Sequence, residues 1–206
     1  MPTTTAPPPS GLRERKKVAT RLALHEAALR LVAEHGMDAV SVDDIADRAD
    51  VSPRTFFNYF PSKVDAVLGL DPDAPRQQAE AFLGRPAAES PVEALRAVAR
   101  DQALEMAEDT ELWPLRLKVV DAHPALLGHL AAAFGENERV LAAAIAERTG
   151  TRVGVDVHPT LLAGVAGIAL RTSLHRWLAG DFTASLPHLV DEAWDVLAAG
   201  LPAPPR

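Results

Sequence analysis

Apolar residues recur along most of this chain at three- and four-residue spacing, the period of a helix buried on one side. Val18, Leu22, His25, Leu29 and Val32 make one such stripe, and Gly36 follows as its C-cap, so the pattern predicts a helix ending near His35. Within it, His25 reads as a packed core histidine. Two short helices come next. Ser41 stands three places before Asp44 in a capping-box pattern, and Val40 can staple against Ile45. Ser52 caps the second helix, with Pro53 at its first position and Val51 placed to meet Phe56. Ala49, Asp50 and Val51 leave a three-residue turn, the connection length of a helix-turn-helix. The second helix is expected from Pro53 to Phe60, with Phe56 and Phe60 on its inner face. Ser62, Lys63 and Asp65 then open a further helix.

Beyond this the pattern stays helical. LDPDAP at residues 70–75 breaks it and marks the boundary region. A short helix around Arg76 to Leu83 stops at Gly84-Arg85-Pro86, and Ser90-Pro91-Val92-Glu93 is a second capping box, opening a helix to about Glu108. Its stripe runs Leu95, Val98, Gln102, Met106. Trp113 to Val120 follows, then a long helix from His123-Pro124 to about Thr149. The helix after His158-Pro159 is apolar on most sides and carries Ala163, Gly164, Ala166 and Gly167, a small-residue surface fit for close approach by another helix or a ligand. The last helix, about Ser185 to Ala199, offers Leu186, Leu189, Val190, Ala193, Trp194 and Leu197. The pattern therefore predicts an all-α fold.

Composition narrows the function. Apolar residues make up 48% of the chain, enough for a sizeable core, and cysteine is absent, which removes disulfides, thiolate catalysis and Cys-based metal sites. Net charge is −7. Up to Asp65, however, nine Lys and Arg balance nine Asp and Glu, so the whole excess lies in the remainder, 12 against 19. That asymmetry disfavours coating of nucleic acid by bulk charge and leaves room for specific binding by the N-terminal part. Arg13, Arg15, Lys16, Lys17 and Arg21 form a basic segment there, either a solvated face or an arm beside the main DNA contact. The tails, residues 1–10 and 202–206, read as disordered; no signal-type or membrane-length apolar run occurs, so a cytoplasmic location is expected.

The residues around the second short helix are poor core and good base readers. Arg54 can pair with guanine and Asn58 with adenine, while Thr55 and Tyr59 can touch a thymine methyl or a phosphate. Asp43, Asp44, Asp47 and Asp50 suggest a metal cluster at first sight, but helix-start charge and an Asp44–Arg48 pair four apart account for them, so no metal is expected.

The run DDIADRADVSPRTFFNYFPSK resembles the DNA-reading segment of the TetR family of bacterial transcriptional repressors. The resemblance implies a homodimer built from a three-helix helix-turn-helix domain, residues 11–62, and a helical ligand-binding and dimerisation domain, residues 63–201. It implies a palindromic duplex operator, read by Arg54, Thr55, Asn58 and Tyr59 with Ser41, Ser52, Pro53, Phe57 and Lys63 nearby. Phe57 stands where relatives often carry a tyrosine, and it has no hydroxyl to offer a phosphate. In that family the last two helices pair across a two-fold axis; Leu161, Gly164, Ile168, Leu174, Leu189, Ala193, Trp194 and Leu197 are the matching candidates. Apolar residues with a few polar groups between Phe82 and Trp177 outline a small-molecule pocket: Phe82, Met106, Trp113, Arg116, Leu117, Val120, Leu127, Leu130, Phe134, Ile168 and Arg171, with His123 and His129 beside them. The C-terminal helices are also similar to mycofactocin-type members, which implies an acyl-type effector. No cofactor is expected. The rival reading is a small-molecule-binding helical protein or enzyme without specific DNA binding, although no catalytic triad order, phosphate loop or metal spacing is present.

Overall fold

The computed structural model describes residues 12–201 except 109; the expected disordered tails, 1–10 and 202–206, lie outside the described residues. Among these the chain is helical throughout: α1 (Leu12–His35), α2 (Val42–Arg48), α3 (Pro53–Phe57), α4 (Lys63–Leu68), α5 (Ala74–Leu83), α6 (Pro91–Ala107), α7 (Trp113–Ala122), α8 (Ala125–Thr149), α9 (Val157–Ala179) and α10 (Leu186–Ala198). They form two compact units. One reaches Asp71 and includes Leu115–Leu126; the other holds Pro72–Pro114 and the chain from Leu127 onward. Thus α4, placed by the sequence reading in the second domain, packs with α1 in the first unit.

In the first unit α1 lies against α2 and α4, and α3 packs on α2. Leu24, Leu29, Val32, Ile45, Phe56, Phe60 and Val67 fill the centre, and the staple residue Val40 is also buried. Val18 and Leu22, expected in the buried stripe of α1, are 60% and 46% exposed. Length explains the difference. A 24-residue helix spans about 36 Å, whereas helices of five to seven residues cover only about 10 Å each.

In the second unit α10 packs on α9 and α6, and α6 also meets α9 and α5. Trp113, Trp177 and Phe182 stack edge to face, with ring centroids 6.0 and 4.8 Å apart, amid Leu95, Leu141, Ile145, Leu186 and Trp194. Ser173, inside this core, donates to the carbonyls of Ala169 and Leu189 at 2.8 and 3.0 Å. Arg148 closes the α5–α6 connection by donating to the carbonyls of Phe82, Arg85, Pro86 and Glu89. Arg96 ties α6 to α10 through Asp191 and Asp195.

Candidate nucleic-acid interface

The first unit holds α3 in place by local chemistry. Ser41 and Asp44 make a complete capping box: the Asp44 amide donates to Ser41 Oγ at 3.1 Å, and the Ser41 amide donates to Asp44 Oδ2 at 2.8 Å. These bonds to the side chain and backbone of Ser41 hold the Asp44 carboxyl below its ordinary pKa. Asp44 is therefore turned to its own helix start, and Arg48, expected to pair with it, lies instead 3.8 Å from Glu34. The α2–α3 turn is a Schellman closure. Asp50 adopts φ 54, its amide donates to Asp47 O, and the Val51 amide reaches back to Ala46 O at 3.0 Å. Aspartate tolerates this left-handed conformation better than most residues.

Ser52 Oγ then accepts the Thr55 amide at 3.1 Å and pairs with Thr55 Oγ1 at 2.9 Å. The helix proper ends at Phe57, earlier than Phe60, and closes through bonds from the Tyr59 and Phe60 amides to Phe56 O. Pro61 explains the early stop, since the residue before a proline is pushed away from helical geometry. Phe56 and Phe60 are fully buried, while Phe57 is 58% exposed and rests edge-on against Phe56 at 5.3 Å. Ser41, Ser52, Pro53, Arg54 and Asn58 are exposed; Thr55 and Tyr59 are half-buried. Among the described residues no protein group holds the Arg54 or Asn58 side chain. Hydrogen-bonding capacity is thus left open on the outer side of α3, beside an apolar ring.

Lys63 has a different setting from the one the sequence suggested. Its ammonium donates to the carbonyls of Met37 at 2.5 Å and Val40 at 2.6 Å, pinning the α1–α2 connection to the start of α4. At the far end of α4, His25 and Arg116 meet; nothing in the sequence brings this pair together, and His25 was legible only as core.

The residues expected to line a ligand pocket are dispersed between the two units. Arg116, Leu117 and Val120 belong to the first and the other eight to the second. Phe82 is buried under the Arg148 guanidinium, 5.2 Å from its ring centre, and Trp113 donates to Met106 O at 3.3 Å. Leu117, Leu127, Phe134 and Ile168 are exposed, and Leu130 is half-buried. Arg171 lies 5.4 Å over the Phe134 ring and 3.3 Å from Glu138. Gly167 makes room for that pair, since a Cβ there would come within 3.0 Å of both groups.

The dimer candidates separate more sharply. Val157, Leu161 and Ile168 are exposed on one stripe of α9, with Gly164 between them facing open space. They line a surface groove of about 470 Å³. Leu189 and Trp194 are only 4% and 1% exposed, buried by their own unit's core, so they cannot face a second copy. Leu174, Ala193 and Leu197 are partly buried against the same core. Among the described residues no three His, Asp or Glu side chains converge on a metal-sized site, and no helix is long and apolar enough to cross a membrane.

A capped three-helix unit presenting a short polar helix after a tight turn, joined to a larger helical unit, defines a helix-turn-helix regulator. Two family models match: "Bacterial regulatory proteins, tetR family" over residues 24–68 and "MftR C-terminal domain" over 89–202. The HTH-type transcriptional regulator TcmR of Streptomyces glaucescens is 34% identical over 190 residues, covering 85% of this chain and 80% of that protein. MftR of Mycobacterium tuberculosis, named for a role as mycofactocin biosynthesis transcriptional regulator, is 29% identical over 91% of this chain and 93% of its own length. Among solved structures, SmeT, titled as repressor of the Stenotrophomonas maltophilia multidrug efflux pump SmeDEF, has a similar fold, with TM-score 0.54 and 20% identity over 92% and 99% of the two chains. The chain belongs to the TetR family of transcriptional regulators. It is a sequence-specific DNA-binding transcriptional regulator, with operator DNA and a second copy of itself as partners.

Proposed function

We propose that this regulator is a cytoplasmic repressor without catalytic activity, bound as a dimer to a palindromic operator. Each α3 enters a major groove, Arg54 and Asn58 read base edges, and Tyr59 and Thr55 sit between base and backbone. Ser41, Ser52, Pro53 and Phe57 lie along the sugar-phosphate wall. The observation that carries this reading is the outer side of α3, where a guanidinium and an amide stand exposed and, among the described residues, without protein partners while both inner phenylalanines are fully buried. The second copy docks on the α9 stripe Val157, Leu161, Gly164 and Ile168, which replaces the broader set expected from sequence. A hydrophobic, acyl-type effector releases the operator by favouring a dimer whose α3 helices are wrongly spaced. A protein of similar fold, FadR of Bacillus subtilis, is titled as in complex with stearoyl-CoA, which supports that class.

Selection of bound duplexes from a random pool tests the DNA reading. It should recover a palindrome whose half-sites lie about 34–36 Å apart, or a multiple of that. No enrichment at any salt concentration would overturn it. Acyl-coenzyme A thioesters of graded chain length, titrated onto the complex, should release the duplex; retention at every length removes the acyl assignment.

A further inference from the structure

We propose that Arg116 is a positioning residue for DNA binding: with His25 it forms a latch on the C-terminal end of α4 that sets the angle at which α3 is presented. The proposal rests on the operator-binding reading above and names a residue outside the reading surface that controls it.

The hydrogen-bond pattern defines the latch. His25, 4% exposed on α1, places Nδ1 2.7 Å from Ala66 O and Nε2 2.6 Å from Arg116 Nη2. A carbonyl can only accept, so Nδ1 carries the proton. A guanidinium can only donate, so Nε2 is the bare acceptor. One imidazole therefore joins the last turn of α4 to a cation on α7. Three residues after Ala66, Gly69 closes α4 at φ +67, and a Cβ there would lie 3.0 Å from both Arg116 Nη2 and His25 Cε1. Both groups thus rest directly on the α4 cap. Arg21 of α1 pairs with Asp71 just beyond it, so that end of the helix is tied to α1 twice. At the other end, Lys63 grips the α1–α2 connection, and only Pro61 and Ser62 separate α4 from the buried Phe60 after α3. A tilt of α4 must move α3. Burial and the neighbouring Arg116 charge lower the His25 pKa to about 4, so the acceptor nitrogen stays bare at neutral pH.

The test uses the full chain and the duplex recovered by selection. Arg116→Gln should weaken binding by about tenfold without touching a base or phosphate, and Arg116→Lys, which keeps one donor, should recover part of the loss. Arg96→Ala, which breaks the α6–α10 pairs, lowers thermal stability and should leave operator affinity unchanged. Folded Arg116→Gln binding as the wild type does, or Arg96→Ala weakening binding equally, overturns the latch while leaving the DNA reading intact. If no duplex is selected, the DNA reading falls and the latch with it. Nitrogen-15 NMR of the wild-type histidines needs no variant: His25 must show a protonated Nδ1 and a bare Nε2, and the opposite tautomer overturns the proposal.

Discussion

His25 has both ring nitrogens engaged, and that sets a pH response. Its pKa is about 4 in the folded chain against about 6.5 unfolded, first through desolvation and then through the Arg116 charge. Lowering pH therefore favours the unfolded chain, which takes up the proton more readily. Above pH 6.5 His25 is neutral in both states and stability does not depend on its titration; as pH falls from 6.5 to 4 stability drops by about 3 kcal/mol in total. Urea unfolding at pH 7, 5.5 and 4.5 should show that slope in the wild type and a shallower one in His25→Gln. Equal slopes would mean that the His25 pKa does not change on folding, so that the imidazole is not desolvated as its burial requires. Asp50 supplies a second residue-scale case. Its φ of 54 closes the turn before α3. Asp50→Gly should be neutral or slightly stabilising, whereas Asp50→Val should cost about 1–2 kcal/mol, since a β-branched side chain is strained there.

At the scale of the element, α3 and α4 divide the work. Asn58 is exposed on α3, and its replacement by alanine should cost about 1–3 kcal/mol on the selected operator while leaving mismatched duplexes nearly unaffected. Uniform weakening on all sequences would assign Asn58 to the backbone instead. Phe57→Tyr restores the hydroxyl that a phosphate contact needs and should raise affinity on operator and random DNA alike. Lys63 makes the sharper discrimination. A phosphate-binding lysine contributes about one unit to the slope of log affinity against log salt. Because its ammonium is held by Met37 and Val40 carbonyls, Lys63→Met should lower thermal stability and leave that slope unchanged. A slope reduced by one would return Lys63 to the DNA surface.

At the scale of the whole molecule, the second unit keeps one apolar stripe of α9 inside and one outside. Leu162, Ala166, Ala169, Ser173 and Trp177 follow helical spacing into the core, and Val157, Leu161, Gly164 and Ile168 follow it to the surface. Charge placed on the outer stripe should prevent dimer formation without unfolding the chain. Leu161→Glu combined with Ile168→Glu should sediment as a monomer with a native helical spectrum and should lose the palindrome. Trp194→Ala behaves differently. With 1% exposure it fills its own core, so the expected loss is about 3–5 kcal/mol of stability, seen as earlier thermal unfolding.

The divide between what was legible in the chain and what was not follows the range of the interactions. Helix starts are written within three residues, since Ser41 with Asp44, Ser52 with Thr55 and Ser90 with Glu93 each satisfy amides that the first turn leaves open. Turn length, the inward Phe56 and Phe60 and the outward Arg54 and Asn58 follow equally from local period. Side-chain destinations do not. Lys63 finds its carbonyls 23 and 26 residues back, and Arg116 meets His25 across 91 residues. The sequence alone therefore determined the order of the helices, most of their caps and which side chains of α3 stay exposed. Only the tertiary structure decided that Lys63 is spent on a loop, that Trp194 turns inward while Ile168 turns outward, and that Arg116 closes on the end of α4. Hydrophobic period tells which side of a helix is apolar; which apolar side is covered, and by what, depends on partners that the period does not name.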